Sequence, residues 1–328
     1  MLDAWFDPGP RAIEAFGGTG LAMRTSPDTD GRGLIESIAE ARGLDPDCIC
    51  VGAGSSEIMY RVLPSLFSNG AAVVLDPSYS EYLHLLARDG QIIRRVALSK
   101  CDGFKVNVDT LLAACEGASL VILVNPNNPT GQELSRAEIL KVRAELPTET
   151  TLWVDEAYVD YCPPGTSVEK DAGEIEGLYV LKSLSKAYAL SGVRAAYLVC
   201  AKRNAQEFVR RTPPWIIGTS AQAAASAAVL DQEYYAARWA ENAERVASFS
   251  SALRGFGLTV YPGRINAVLV ESPSGRTSGD WANRLASSGL IVRTPEGMGE
   301  VLRDRYVRIG IVEKRFEAKV LEIVASSL

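Results

Sequence analysis

The segment Ser183-Leu-Ser-Lys-Ala-Tyr-Ala-Leu-Ser-Gly-Val-Arg194 places Lys186 just after two serines and sets an arginine eight residues beyond it. Leu178-Tyr-Val-Leu-Lys182, immediately before, reads as a β-strand. The chain then turns at the serines, so Lys186 is expected at the mouth of a sheet rather than inside it. An amine in that position is reachable. Ser183, Ser185 and Arg194 are all able to grip one phosphate. A lysine that forms a Schiff base with pyridoxal 5'-phosphate (PLP) needs both features. Read singly, the pattern also fits a solvated loop lysine.

Three other segments point to the same chemistry. Asn125-Pro-Asn-Asn-Pro-Thr-Gly131 follows Ser119-Leu-Val-Ile-Leu-Val124, an apolar run of the kind found in buried parallel strands. Its prolines, asparagines and glycine force a loop at the strand's carboxyl end, where an asparagine amide can face a ligand. Asp155-Glu-Ala-Tyr158 follows Thr151-Leu-Trp-Val154 in the same manner. An aspartate at that strand end can keep a pyridine nitrogen protonated, and Tyr158 can donate to a phenolic oxygen. Taken alone, the same four residues also read as a helix cap with a packed tyrosine. Cys50-Val-Gly-Ala-Gly-Ser-Ser-Glu57 reads as a strand end, a glycine turn and a helix start. Its Ser55 and Ser56 backbone N–H groups are suited to a phosphate at the helix N-terminus.

Strands and helices alternate from about residue 34 to 211. The predicted strands are Cys48–Val51, Ala72–Leu75, Ile92–Ala97, Leu120–Val124, Leu152–Val154, Tyr179–Leu181 and Ala196–Val199, with a helix at Ile35–Ala41. This pattern predicts an α/β domain with a mainly parallel sheet and its chemistry at the strand ends. Thr212-Pro-Pro-Trp215 breaks the chain. An alanine-rich stretch, Ser220–Leu230, and a long helix, Gln232–Leu253, follow and bridge to a smaller α+β part. There, strands are expected at Asn266–Glu271, Leu290–Arg293 and Val307–Ile311, with a closing helix at Lys314–Val324.

The order of G-x-G-S, D-P-x-Y, N-P-x-x-P-T-G, D-E-A-Y, S-x-S-K and G-x-R resembles the fold-type I, PLP-dependent class I/II aminotransferase family. Within it the chain is most similar to the histidinol-phosphate aminotransferase branch, with threonine-phosphate decarboxylase as a near relative. The resemblance runs from about residue 8 to the end. It implies a seven-stranded, mainly parallel sheet between helices in a large domain, residues 26–230. A small domain would cover 231–328, and an N-terminal arm, 1–25, would pack on the small domain. It also implies that Lys186 is the Schiff-base lysine and Asp155 the pyridinium partner. Asn128 and Tyr158 would hold the phenolic oxygen, and Tyr79, in Asp76-Pro-Ser-Tyr79, would stack on the ring. Ser55, Ser56, Ser183, Ser185 and Arg194 would hold the phosphate. Arg308, in Tyr306-Val-Arg308-Ile, would take the substrate carboxylate and Arg293 the substrate's far end. A homodimer is the family's usual state. The implied activity is transamination between an amino acid and a 2-oxo acid or a phosphorylated carbonyl compound; the alternative is amino-acid decarboxylation of the threonine-phosphate type.

The departures lie around the substrate and the subunit contact. Thr25-Ser-Pro-Asp28 stands where relatives carry a tyrosine that reaches the neighbouring subunit's phosphate. Ser56 stands where they carry an acid, and Trp5-Phe-Asp-Pro-Gly-Pro10 only echoes their N-x-N-P loop.

The bulk numbers bound the rest. A chain of 328 residues can bury a large core, and 47% hydrophobic with 23% charged residues is ordinary for a globular enzyme. A net charge of -6 gives no reason to expect nucleic acid. Lys202, Arg203, Arg210 and Arg211 have the spacing of a solvated helix face. His84 is the one histidine, so neither a zinc site nor a serine–histidine triad is expected. Six cysteines without metal-site spacing suggest reduced thiols and a cytoplasmic protein. No apolar run is long enough for a membrane span.

Overall fold

The computed structural model describes residues 2–67 and 69–328. Ten strands and twelve α-helices follow one another in it. The strands are β1 (Ile49–Gly52), β2 (Ala71–Asp76), β3 (Ile92–Ala97), β4 (Ala118–Val124), β5 (Thr151–Asp155), β6 (Leu178–Ser183), β7 (Ala196–Val199), β8 (Val260–Tyr261), β9 (Ala267–Glu271) and β10 (Tyr306–Gly310). The helices of the first two thirds are α1 (Pro10–Gly17), α2 (Arg32–Arg42), α3 (Ser55–Val62), α4 (Ser80–Arg88), α5 (Val108–Ala114), α6 (Arg136–Glu145), α7 (Glu169–Glu174), α8 (Lys202–Arg211) and α9 (Thr219–Leu230). The remainder holds α10 (Gln232–Gly255), α11 (Ser278–Ser287) and α12 (Lys314–Ser327).

The first seven strands form one sheet in the order β1-β7-β6-β5-β4-β2-β3. The pairs among β3, β2, β4, β5 and β6 are parallel; only β7 runs against its neighbours. All seven strands expected from the sequence are present. The central ones are buried along their whole length, which is why they read as unbroken apolar runs rather than alternating ones. Successive residues nevertheless serve different layers, because a strand's side chains alternate between faces. Val73, Leu75, Val121, Leu123 and Val154 pack with Leu34 and Ile38 of α2 and Ile139 and Val142 of α6. Ala72, Val74, Leu120, Ile122 and Trp153 pack with Ile58 and Met59 of α3, Tyr82 and Leu85 of α4, and Phe208 of α8.

The small sheet is antiparallel in the order β10-β9-β8. A strand at Leu290–Arg293 is not found. Arg293 makes only an isolated bridge to Arg308 of β10, and Ile291 is 88% exposed. Leu290 and Val292 pack into the small core on one side of the segment, but Gly289 and Pro295 bracket it too closely for a ladder to extend. The third strand is instead the two-residue β8. Along β10, Val307 and Ile309 face the small-domain core with Val268, Trp281 and Val324, while Tyr306 joins the core of the large sheet. This alternation turns Arg308 away from the small core.

The 24-residue α10 runs from the large sheet's strand ends, where Tyr235 and Trp239 pack with Tyr188, into the small core, where Phe249 and Leu253 are buried. The expected arm of residues 1–25 divides between two places. Trp5 belongs to the small-domain core, whereas α1 packs against α9. Among the described residues, no helix is long and apolar enough to cross a membrane.

Candidate active site

The loops leaving the carboxyl ends of β2, β4, β5 and β6 meet α3 and β10 at one crevice. Lys186 lies on the loop after β6. Its carbonyl accepts the Tyr161 hydroxyl at 3.2 Å, and the next carbonyl, of Ala187, accepts Trp239 Nε1 at 2.7 Å. The loop is thus pinned by its backbone and the amine is left at the mouth. Burial holds the Lys186 ammonium below the ordinary lysine value; Arg308 and Arg194 push the same way, and Asp3 opposes them.

Arg194 has φ +60, a left-handed conformation costly for a side-chain-bearing residue. That conformation lays its guanidinium over the start of α3. Nη1 donates to Ser185 Oγ at 3.2 Å and to the Ser191 carbonyl at 2.9 Å. A Cβ added to Gly54, the residue preceding α3 at φ +94, would meet Arg194 Nη2. Glycine at this positive φ leaves the guanidinium where it lies. Ser55 and Ser56 open α3, with no side-chain cap on that helix end, so their N–H groups remain for a ligand. Ser183 is buried and accepts from the Ser185 N–H at 3.3 Å. Two hydroxyls, a helix N-terminus and one guanidinium converge here, groups suited to an anion.

Asp155, the last residue of β5, is buried without a cation. It accepts the Tyr82 hydroxyl at 2.8 Å and the Ala157 N–H at 3.0 Å, and no lysine or arginine pairs with it among the described residues. Burial pushes its carboxyl up, with the two hydrogen bonds pulling back. A buried anion with a free lone pair and no counter-ion suits a cationic ring N–H. Trp153 Nε1 donates to Tyr82 at 2.9 Å, so a chain of donors runs Trp153 to Tyr82 to Asp155. Neither Trp153 nor Tyr82 was singled out from sequence. The signal was present, because Trp153 and Asp155 are two apart on a strand and share a face. Tyr79 stands edge-on to Tyr82, with ring centroids 6.0 Å apart. Burial, with the nearby Asp155 charge, pushes its phenol up to about 12. Tyr158 is buried and pushed up further, with Arg308 opposing.

The Asn-Pro loop supplies three asparagines with separate tasks. Asn125 clamps the loop ends, exchanging hydrogen bonds with Leu134 at 3.0 and 2.7 Å. Asn127 Nδ2 holds the carbonyl of Pro77 at 2.9 Å. Asn128 faces the crevice, and its Oδ1 accepts Arg308 Nη1 at 2.6 Å. Gly131 closes the loop at φ +69 against the backbone of Gly263; a Cβ would come within 2.7 Å of it. Burial lowers the proton affinity of Arg308, and Arg293 adds to the effect. Directly opposed residues of an antiparallel pair point to the same side. Arg293 therefore stands beside Arg308, exposed, with Nη2 donating to the Glu296 carbonyl at 3.0 Å. Of the residues expected from the sequence, Ser56, Arg194 and Arg293 are exposed.

A parallel α/β sheet with a pinned lysine, a guanidinium over a helix N-terminus and a buried lone aspartate at its strand ends matches the architecture of a fold-type I PLP enzyme. The sequence model for aminotransferase class I and II matches residues 9–321, and the chain belongs to that family, with PLP as its cofactor. It is 31% identical over 300 residues to the histidinol-phosphate aminotransferase of Maricaulis maris, covering 89% of this chain and 82% of that one. It is 32% identical over 289 residues to the threonine-phosphate decarboxylase of Salmonella typhimurium, covering 87% and 78%. In fold it is similar to the histidinol-phosphate aminotransferase of Sinorhizobium meliloti, solved in complex with PLP. That likeness has a TM-score of 0.89 at 23% identity and covers 99% of this chain and 88% of that one. The chain is a PLP-dependent aminotransferase of the histidinol-phosphate aminotransferase-like branch.

Proposed function

We propose that the protein moves an amino group between an amino acid and a 2-oxo acid or a phosphorylated carbonyl compound, with Lys186 as the cofactor lysine. The observation that carries the choice of transamination is the 2.6 Å contact of Arg308 with Asn128. When bound, PLP supplies an electron sink conjugated to the substrate's α-carbon. In this reading Asn128 and Tyr158 hold the ring's phenolic oxygen, Asp155 its nitrogen, and Tyr79 one face. Ser55, Ser56, Ser183, Ser185 and Arg194 take the phosphate. An arginine bonded to Asn128 would stand beside the residue that holds the phenolic oxygen and would fix a substrate carboxylate there with two hydrogen bonds. A carboxylate held fast in this way supports proton transfer at the α-carbon over its loss as carbon dioxide. Lys186 takes that proton when neutral and returns it when charged.

Arg293 supports an anionic far end on one substrate, because it offers a second guanidinium beside Arg308 at the mouth. Decarboxylation remains the competing reading, supported by the 32% identity to the Salmonella enzyme. We also read the chain as a large cofactor-binding body, residues 26–230, and a small one, 231–328, joined through α10. A homodimer is supported by Ile13, Phe16, Met23 and Trp215, large apolar side chains exposed on and near the α1–α9 layer. Six free cysteines support a reducing, cytoplasmic setting.

The test is a single-turnover donor scan. Each amino acid is added to the PLP-bound protein, and the cofactor's band near ~420 nm is followed together with carbon dioxide release. Loss of the band with a 2-oxo acid as product supports the proposal; carbon dioxide without a 2-oxo acid rejects it. Arg308→Lys keeps the charge but loses the two-pronged grip, and should raise KM for every donor. Arg293→Ala should alter the ranking among donors, most for acidic or phosphorylated ones.

A further inference from the structure

We propose that Asp3, on the N-terminal arm, is the counter-ion of the reactive lysine and holds the Lys186 amine protonated when that amine is free. The inference rests on Lys186 being the cofactor lysine. Asp3 Oδ1 lies 3.4 Å from Lys186 Nζ and accepts the Ser191 hydroxyl at 2.6 Å. Ser191 belongs to the same loop as Lys186 and Arg194, so the arm's carboxylate is tied to the lysine's own loop.

The arm is fastened on both sides of this contact. The Asp3 carbonyl accepts Asn266 Nδ2 at 2.6 Å, at the edge of β9. Leu2 is buried against Gly310. Trp5 Nε1 donates to Asn242 at 2.9 Å, with the Arg245 guanidinium 4.2 Å from its ring centre. The Gly9 N–H donates to the Tyr235 hydroxyl at 2.9 Å. A side chain that is half exposed is thereby delivered to one place, which answers the usual objection that an exposed ion pair is too mobile to matter.

The charges facing the lysine explain what the arm contributes. Arg308 from β10 and Arg194 from the loop both repel a proton on Nζ, and burial acts with them. The carboxylate that opposes them is that of Asp3. Asp3 is itself held ionised by Ser191 and by Lys186, against burial. A lysine that both takes and returns a proton needs its two forms close in free energy. Burial and the two arginines favour the neutral form; the arm's carboxylate favours the charged one. Asp3 is therefore a positioning residue that acts through Lys186, and the arm is part of the acid–base machinery as well as of the packing.

The test uses the full chain freed of cofactor, with PLP as the probe. The rate constant for PLP capture is measured against pH by the rise of the ~420 nm band. Only the neutral amine attacks an aldehyde, so the rate climbs as Lys186 loses its proton. Asp3→Asn should move the midpoint of that climb down by about one pH unit, the lower end of what an opposite charge at this range does. Asp3→Glu should restore most of the shift. If Asp3 merely fastens the arm, Asp3→Asn would lower the melting temperature and leave the midpoint in place, and that result overturns the proposal. Borohydride reduction and peptide mapping keep the two questions apart. Fixation at another lysine rejects the cofactor assignment, whereas fixation at Lys186 with an unmoved midpoint rejects the role of Asp3 alone.

Discussion

At the end of β5 two successive carboxylates, Asp155 and Glu156, leave the chain toward opposite sides of the sheet, and near the end of β6 stand two lysines, Lys182 and Lys186. One member of each pair belongs to the crevice. The others join Asp160, Glu169 and Arg42 in a buried ion cluster. Lys182 Nζ lies 3.4 Å from Glu156, 3.6 Å from Asp160 and 3.9 Å from Glu169; Arg42 reaches Asp160 at 2.8 Å and Glu169 at 2.7 Å. Burial pushes both Asp155 and Glu156 up, but only Glu156 has a cation, Lys182, pulling back. The cluster holds three carboxylates against two cations. Its surplus negative charge falls on Glu156, while burial at Asp160 is outweighed by Arg42 and Lys182, which hold that carboxyl low. Equal burial therefore does not mean equal use. A charge satisfied by protein is spent on the fold, and a charge left without a partner is kept for a ligand.

The sharpest way to break this contrast is to exchange the fates of the two lysines. Lys186→Ala should lower turnover by roughly 10⁴-fold or more while the melting temperature of the cofactor-free protein stays close to wild type. PLP fixed by borohydride to Lys182 would sink the assignment. Lys182→Met should do the reverse. Removing one partner from a buried ion cluster costs about 3–5 kcal/mol, read from denaturant unfolding, while kcat per folded molecule remains near wild type. An unchanged denaturation midpoint would show that the cluster is not what it is taken to be.

The contrast sharpens at Asp155. Asp155→Asn should reduce turnover by well over tenfold, a barrier change above about 1.4 kcal/mol, yet stabilise the cofactor-free protein at neutral pH. The sign follows from linkage. A carboxyl raised in the folded state adds stability below its unfolded value, 3.8, and loses that contribution as pH rises through the folded value. Above that range the folded protein carries an unpaired buried charge, which asparagine removes. Unfolding curves at acidic and neutral pH should therefore converge at the acid end and separate toward neutrality. Curves that separate in the other direction would mean that Asp155 has a cationic partner.

The smallest effect is expected one shell further out. Tyr82→Phe removes the hydroxyl that donates to Asp155 and accepts from Trp153. It should lower kcat about tenfold, the low end of the worth of one hydrogen bond to a charged group. KM should hold, because Tyr82 meets no substrate. A change in KM alone would place Tyr82 in the substrate pocket instead.

Much of the site was legible in the chain because it is local. Lys186, Asp155, Asn128 and the serines each sit within a few residues of a strand end, and strand ends are marked by where apolar runs stop. The alternation of strands and helices implied the sheet, and with it the side on which those ends gather. The small domain was less legible. Leu290–Arg293 has strand composition and packs Leu290 and Val292 into the small core, but a strand also needs a partner along its length, and there Arg293 found a single bridge.

What the sequence determined by itself was the set of chemical groups and their order, since bond geometry carries a residue no further than its own turn or strand. Tertiary structure decided the partners. Asp3 and Lys186 are 183 positions apart, Asn128 and Arg308 are 180 apart, and Tyr82 and Asp155 are 73 apart. No periodicity links such positions, because each meeting depends on how whole layers pack. Whether a carboxylate is free or spent, and how strongly a lysine holds its proton, is set by those meetings alone.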